Sequence, residues 1–259
     1  MSFGEPHERH DRLASTNTRA RELAAEGAPH GTIVTADEQT AGRGRQGRVW
    51  TAPPGKALLY SAIVRPLDER HLLLPLAAPL AVCEAAEELA NDLTADGEEA
   101  TFRCCVKWPN DVLIDRRKLA GILVEARPQD GWAVVGVGLN LTISTEEFPP
   151  DLRDRAVSIF GSTLGGRGRS RRSLPAVAPP TPLTAASVLS RHLSTWVQSD
   201  PDTVLSAWRQ RDALKGREVA WADGSGVADG VDDRGYLLVV TPGGDRVAVG
   251  AGEVHLTRS

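Results

Sequence analysis

Nowhere in its 259 residues does the chain hold an uninterrupted apolar run of the roughly 18 residues that a membrane-spanning helix needs. The N-terminal stretch MSFGEPHERHDRLAS also lacks the apolar segment of a secretory signal, so a cytoplasmic protein with no membrane role is expected. Cysteine is scarce. Cys83, Cys104 and Cys105 are odd in number and show no C-x-x-C spacing, which argues against a disulfide framework and against a zinc site. They read as buried, reduced thiols. Nor is there a surplus of positive charge: 30 Lys and Arg against 34 Asp and Glu leave a net charge of −4, the wrong sign for broad affinity toward a phosphate backbone.

What is present is an ordinary globular composition, 41% hydrophobic and 25% charged, enough to bury a core. From Ser15, STNTRARELAAEGAPHG has a capping residue, apolar Ala20, Leu23 and Ala24 on one face, and Gly27 as a stop, so a helix is expected. TIVTADEQ from Thr32 and KALLYSAIVRP from Lys56 read as strands. The Ala/Leu-rich segment from Leu72 to Leu93 reads as a long buried helix with prolines near its start. Four apolar, β-rich segments follow, TFRCCVKW, DVLID, KLAGILVEAR and WAVVGVGLNLTI, separated by short turns. Two helices are expected at Ala185–Gln198 and Pro201–Ala213, and short alternating strands with Gly/Asp turns from Gly216 to Leu256 look like a small β-barrel. The class is α+β, with a mixed or antiparallel sheet and helices on one face. Residues 1–213 are expected to form one domain and 214–259 a second. The Gly/Arg/Pro-rich stretch 161–182 reads as a flexible insertion; its second GRGR, Gly166 to Arg169, is fed by no strand.

One segment asks for a ligand. TAGRGRQGRVW, residues 40–50, concentrates glycine and arginine directly after a strand. Glycine lets backbone approach a ligand closely, and arginine supplies a planar fork for carboxylate or phosphate oxygens, so the loop reads as one that wraps an anion. Polar or glycine positions fall at apolar strand ends in four places: Ser15-Thr16-Asn17, this loop, KWPND (Lys107–Asp111), and KLAGILVE with GVGLN.

In order and spacing, STN, Q-T-x-GRGRxGRxW, KWPND, KLAGIL-E and GxGxN resemble the biotin protein ligases over roughly residues 13–143, and the C-terminal barrel resembles that family's small domain. The resemblance implies a class II synthetase-like catalytic domain followed by an SH3-like barrel. It also implies an enzyme, biotin–[biotin carboxyl-carrier protein] ligase: ATP activates biotin to biotinyl-5′-AMP, and the biotinyl group passes to a lysine of the carboxyl carrier domain of an acyl-CoA carboxylase. Both steps move negative charge and call for fixed cations in a water-poor cavity. By that resemblance Ser15, Thr16, Asn17, Gln39, Arg43, Gly44, Arg45, Lys118 and Gly121 contact biotin. Arg45, Arg48, Trp50, Asn110, Lys118 and Asn140 contact ATP. Arg45 and Lys118 stabilise charge, and Asp111 orients or deprotonates the incoming lysine. Lys107 is left as support. No dedicated metal site is implied; Mg2+ enters with the nucleotide. Where many members read GRGRRGR, this chain carries Gln46. Only about a dozen residues precede Leu13, so the form lacking an N-terminal DNA-binding domain is expected, with no specific DNA binding, as a monomer or weak homodimer. The competing readings are a lipoate or octanoate ligase or transferase of the same fold and a non-catalytic biotin-sensing regulator.

Overall fold

The strand β3 (Ala57–Val64) is buried along its whole length, because alternate side chains leave it toward two covered faces. Leu58, Tyr60, Ala62 and Val64 pack with α2 (Leu74–Asn91) and α3 (Pro182–Gln198). Ile63, on the opposite face, packs with Val34 and Val134 beneath Ala20 and Ala24 of α1 (Thr16–Ala25). Ser61 shares that second face and is the polar residue in an otherwise apolar row. The computed structural model describes residues 2–91, 102–161, 178–250 and 254–256.

Around β3 lies a seven-stranded sheet of order β1-β2-β3-β7-β6-β5-β4, built from β1 (His7–Leu13), β2 (Ile33–Gln39), β4 (Cys105–Lys107), β5 (Asp111–Ile114), β6 (Arg117–Arg127) and β7 (Trp132–Asn140). It is mixed, as the sequence predicts: β1 runs parallel to β2 and every other pairing is antiparallel. Two features depart from the sequence reading. Helices cover both faces rather than one, since α1 is the crossover between the parallel β1 and β2 and lands opposite α2 and α3. And β1 itself, HERHDRL, was not expected; it is an edge strand, half exposed, whose pattern shows no apolar alternation.

The second sheet is five-stranded and antiparallel, order β11-β10-β9-β8-β12, made of β8 (Glu218–Trp221), β9 (Gly224–Val231), β10 (Leu237–Val240), β11 (Arg246–Val249) and β12 (His255–Leu256). Its Val219, Ala228 and Leu237 belong to the same apolar cluster as Trp108, whose indole Nε1 donates to Gly235 O at 3.0 Å. The helix expected to reach Ala213 ends sooner, as α4 (Pro201–Gln210). There Arg211 turns to an ion pair with Glu87 at 2.7 Å and Ala213 N donates to Val106 O. Cys83 and Cys104 are buried and Cys105 half-buried, all three as free thiols. Among the described residues no helix is long and apolar enough to cross a membrane. Residues 162–177, which hold most of the Gly/Arg/Pro-rich stretch, lie outside the described residues.

Candidate active site

A cavity of about 590 Å³ opens on the α1 face of the large sheet. All the residues singled out in the sequence line it. Ser15, Thr16 and Asn17 come from the start of α1, Gln39 from the end of β2, and Arg43, Gly44, Arg45, Arg48 and Trp50 from the loop that follows. Asn110, Asp111, Lys118, Gly121 and Asn140 come from β5, β6, β7 and their connections. The gathering has a simple cause: the motifs stand where neighbouring strands end or turn. The β5–β6 turn is tight, with Asp115 and Arg116 both at positive φ, 47° and 67°, as a two-residue hairpin requires. It brings Lys118 beside Asp111, with Nζ 2.6 Å from Oδ1.

The floor is made of glycine. Gly121 and Gly138 are register partners on β6 and β7, and the Trp50 indole lies on both. A Cβ on Gly138 would stand 2.3 Å from Trp50 Cε2, and one on Gly121 3.1 Å from Cζ3. The indole Nε1 is buried without a hydrogen-bond partner. Lys118 Nζ sits 5.7 Å from the Trp50 ring centroid, within cation–π range. The loop that carries Trp50 is ordered by its own backbone: Trp50 N donates to Gly42 O at 3.0 Å and Gly44 N to Arg48 O at 2.8 Å. Gly42 has to be glycine, because a Cβ there would lie 2.3 Å from Trp50 O.

The two ends of the cavity differ in chemistry. At the α1 end hydroxyls and amides predominate, and the one guanidinium there, Arg43, is paired with Glu125. Gln39 Oε1 accepts from Thr16 N at 2.7 Å and Thr16 Oγ1 at 3.1 Å, while the Ser61 hydroxyl reaches Thr16 Oγ1 at 2.8 Å and Asn17 Oδ1 at 2.6 Å. Ser15 occupies the N-cap position of α1 yet makes no side-chain capping bond, and its buried Oγ has no partner. The Ser15 hydroxyl is thus withheld from its cap and left without a bond beside the cavity, an exception among buried polar groups that calls for a reason. Asn17 is the reverse: Nδ2 donates to Glu125 Oε2 at 2.9 Å, and Oδ1 faces Ser61 and Gly136, where a Cβ would lie 1.8 Å away.

At the other end cations gather. Lys107, Lys118, Arg45, Arg48 and Arg155 line the wall, against the carboxylates Asp111 and Asp154. Burial, and then the neighbouring Arg48, push the Arg45 guanidinium below its ordinary pKa, with Asp111 opposing. Burial likewise lowers Lys107, opposed by Asp111 and reinforced by Lys118, Arg155 and Arg48. Arg45 Nη1 approaches Asn110 Oδ1 at 3.5 Å. Asn110 Nδ2 is anchored to Ile122 O, and Asn140 Nδ2 to Val157 O, both at 3.0 Å. Such a wall suits several anionic oxygens at once.

The sequence motifs contained Glu125, Gly136 and Gly138 without giving them a role, and sequence reasoning missed Ser61 and the contribution of β12, whose His255 and Leu256 line the cavity. The glycines were visible as the alternation in GVGLN, and Ser61 as a lone hydroxyl in an apolar strand; nothing local marked β12.

Comparison with known proteins agrees with this geometry. Residues 10–141 match the Biotin/lipoate A/B protein ligase family, and residues 216–256 match the Biotin protein ligase C terminal domain. The bifunctional ligase/repressor BirA of Bacillus subtilis is 40% identical over 156 residues, covering 58% of this chain and 45% of that protein; the chain thus matches less than half of that relative's length. The biotin–[acetyl-CoA-carboxylase] ligase of Mycobacterium tuberculosis is 36% identical over 257 residues, 93% of this chain and 86% of that protein. Among solved structures, the biotin protein ligase from Aquifex aeolicus in complex with biotin and ATP superposes with a TM-score of 0.72 at 27% identity, covering 99% of this chain and all of that one. On these matches and on the arrangement of its site, the chain belongs to the Biotin/lipoate A/B protein ligase family.

Proposed function

We propose that this protein activates biotin with ATP and transfers the biotinyl group to a lysine of a biotin carboxyl carrier domain of an acyl-CoA carboxylase. The observation that carries the reading is the cavity's division into an end of hydroxyls and amides, where the Ser15 hydroxyl is unpartnered, and a cationic end at Arg45, Arg48 and Lys118. Biotin has the matching polarity, an uncharged ureido ring at one end and a carboxylate at the other. In the first step a biotin carboxylate oxygen attacks the α-phosphorus of ATP, and the bond to pyrophosphate breaks. In the second the lysine amine attacks the acyl carbon; AMP leaves and the amine loses a proton.

Ser15, Thr16, Asn17 and Gln39 hold the ureido end. Arg43, Gly44 and Gly121 flank the bicyclic ring and its chain, and Arg45 and Lys118 neutralise the carboxylate and α-phosphate. Arg48, Trp50, Asn110 and Asn140 take the nucleotide. Asp111 is held by Lys118; once Lys118 turns to phosphate, the carboxylate is released to accept the proton of the incoming amine. Magnesium belongs to the substrate, carried on the nucleotide phosphates. Residues 1–213 serve as the catalytic domain and 214–259 as the C-terminal domain that lends β12. The protein works in the cytoplasm, as a monomer or weak homodimer, without specific DNA or membrane partners.

A lipoyl or octanoyl acid offers no urea to satisfy Ser15, which favours biotin over the lipoate chemistry that the family also contains. Pyrophosphate exchange into ATP, run with biotin, lipoate and octanoate in parallel, separates the two. Biotin alone is expected to support exchange, and a purified carrier domain to gain one biotinyl mass. Exchange with lipoate instead, or exchange with biotin and no gain on the carrier, overturns the assignment.

A further inference from the structure

Glu125 lies behind the cavity wall, yet it is the point where the Gly/Arg loop and the start of α1 meet. Along β6 alternate residues share a face, so Gly121, Leu123 and Glu125 point the same way. The first two line the cavity and the third stands just outside it. Its carboxylate accepts from Asn17 Nδ2 through Oε2 at 2.9 Å, while Oε1 lies 3.1 Å from Arg43 Nη1 and 3.3 Å from Arg21 Nη1. Arg43 comes from the loop, and Asn17 and Arg21 come from successive turns of α1. Without the carboxylate, two guanidiniums would face each other with no negative charge between them, and the loop would lose its ion pair at this end of the site.

We propose that Glu125 is a positioning residue that holds the Gly/Arg loop closed over the cavity through Arg43 and, with its second oxygen, sets the amide of Asn17. The ligand-holding part of this inference rests on the biotin-activating reading; the loop-holding part does not. Glu125 is 22% exposed and Arg43 42%, so the pair is partly screened and its effect is modest, on the order of threefold to tenfold in the population of open loop.

The test is limited trypsin digestion of the ligand-free full chain, following the product cut after Arg48. Cleavage of a loop in rapid opening equilibrium reports its open population. Glu125→Gln keeps an acceptor for Asn17 but removes the charge, and it is expected to speed nicking about threefold to tenfold with the melting temperature close to that of the parent. Arg43→Gln is expected to do the same, the double variant to be no faster than either single, and Glu125→Asp to recover much of the protection. With biotin and ATP, Glu125→Gln is expected to raise the biotin KM and shorten adenylate retention by a similar factor while kcat stays within about twofold. Nicking of Glu125→Gln at the parental rate, or additive rates in the double variant, overturns the proposal. If Glu125→Gln does not fold, Arg43→Gln decides alone: parental nicking overturns the proposal and faster nicking supports it. Should the parent make no adenylate, the biotin reading fails while the digestion still decides the role of Glu125.

Discussion

Gly138 lies directly beneath the indole of Trp50, so close that a Cβ on that glycine would stand 2.3 Å from the ring. A methyl group cannot share that space with carbon at ordinary contact distance. Since Gly121 is the register partner of Gly138 on the next strand, the two glycines form one flat shelf, and the Trp50 indole, whose Nε1 makes no hydrogen bond, is seated by the absence of side chains beneath it.

Gly138→Ala is therefore expected to push Trp50 off the shelf and to cost about 1–3 kcal/mol of stability. If Trp50 faces the nucleotide, the ATP KM in pyrophosphate exchange rises about tenfold. The control is coupling: in a Trp50→Ala background the same Gly138→Ala change should add little, because the clash is gone. Equal costs in both backgrounds would place the penalty in the strand itself.

Ser15→Ala separates ligand contact from helix capping. The Ser15 side chain makes no capping bond and its buried hydroxyl is unpartnered, so its removal should leave the melting temperature within about a degree. A cap that was in use would cost about 1 kcal/mol. The biotin KM is expected to rise about threefold to tenfold, the value of one neutral hydrogen bond. A clear loss of stability with an unchanged KM would return Ser15 to its ordinary role as a cap.

The residues that carry chemistry were legible because they sit in contiguous motifs at strand ends, where polar and glycine positions interrupt apolar patterns. Their supports were not. Glu125 serves Asn17 across 108 residues and Ser61 serves it across 44, separations at which no local pattern signals a pairing. The same limit explains the helices: the periodicity of α1 shows that one side is apolar, but not which face of the sheet it will cover. β1 escaped because an edge strand paired on one side can be polar at nearly every position.

Between α2 and α3, His192 stands with both ring nitrogens against carboxylates, Nδ1 at 3.1 Å from Glu84 and Nε2 at 2.8 Å from Glu88. The hydrogen bond to Glu84 raises its pKa above the ordinary 6.5, burial opposes, and Glu88 adds to the rise. A histidine raised in the fold contributes stability that is fully present below about pH 6.5 and is lost as pH climbs through its folded value. Glu84 and Glu88 are both held below their usual pKa, so their share is present above about pH 4.5 and lost on acidification. His192→Gln should thus lower the melting temperature by about 2 °C near pH 6 and progressively less toward pH 9. A deficit that stays constant across that range would mean that the ring acts by packing and not by charge.

Arg45 tests the purpose of the loop. It reaches from the backbone turn at Gly44 and Arg48 to the cationic end of the cavity, beside Asn110, and its charge is partly stripped of water. A guanidinium in that setting gains most from an anion that replaces the lost solvent. Removing it should weaken the hold on biotinyl-adenylate by about 1.5–3 kcal/mol, the range of a charge-assisted hydrogen bond, which is roughly a tenfold to hundredfold faster release. The loop backbone should survive, because Gly44 N and Arg48 N bond to main-chain oxygens that Arg45→Gly retains; Arg45→Ala controls for the added freedom of glycine. The released mixed anhydride would then acylate lysines at random, so added bovine albumin should become biotinylated by the variant and not by the parent. Rapid dilution gives the off-rate, and a biotin blot gives the loss of selectivity. An adenylate that leaves both proteins at the same rate would show that the loop retains it by other groups and that Arg45 belongs to the wall alone.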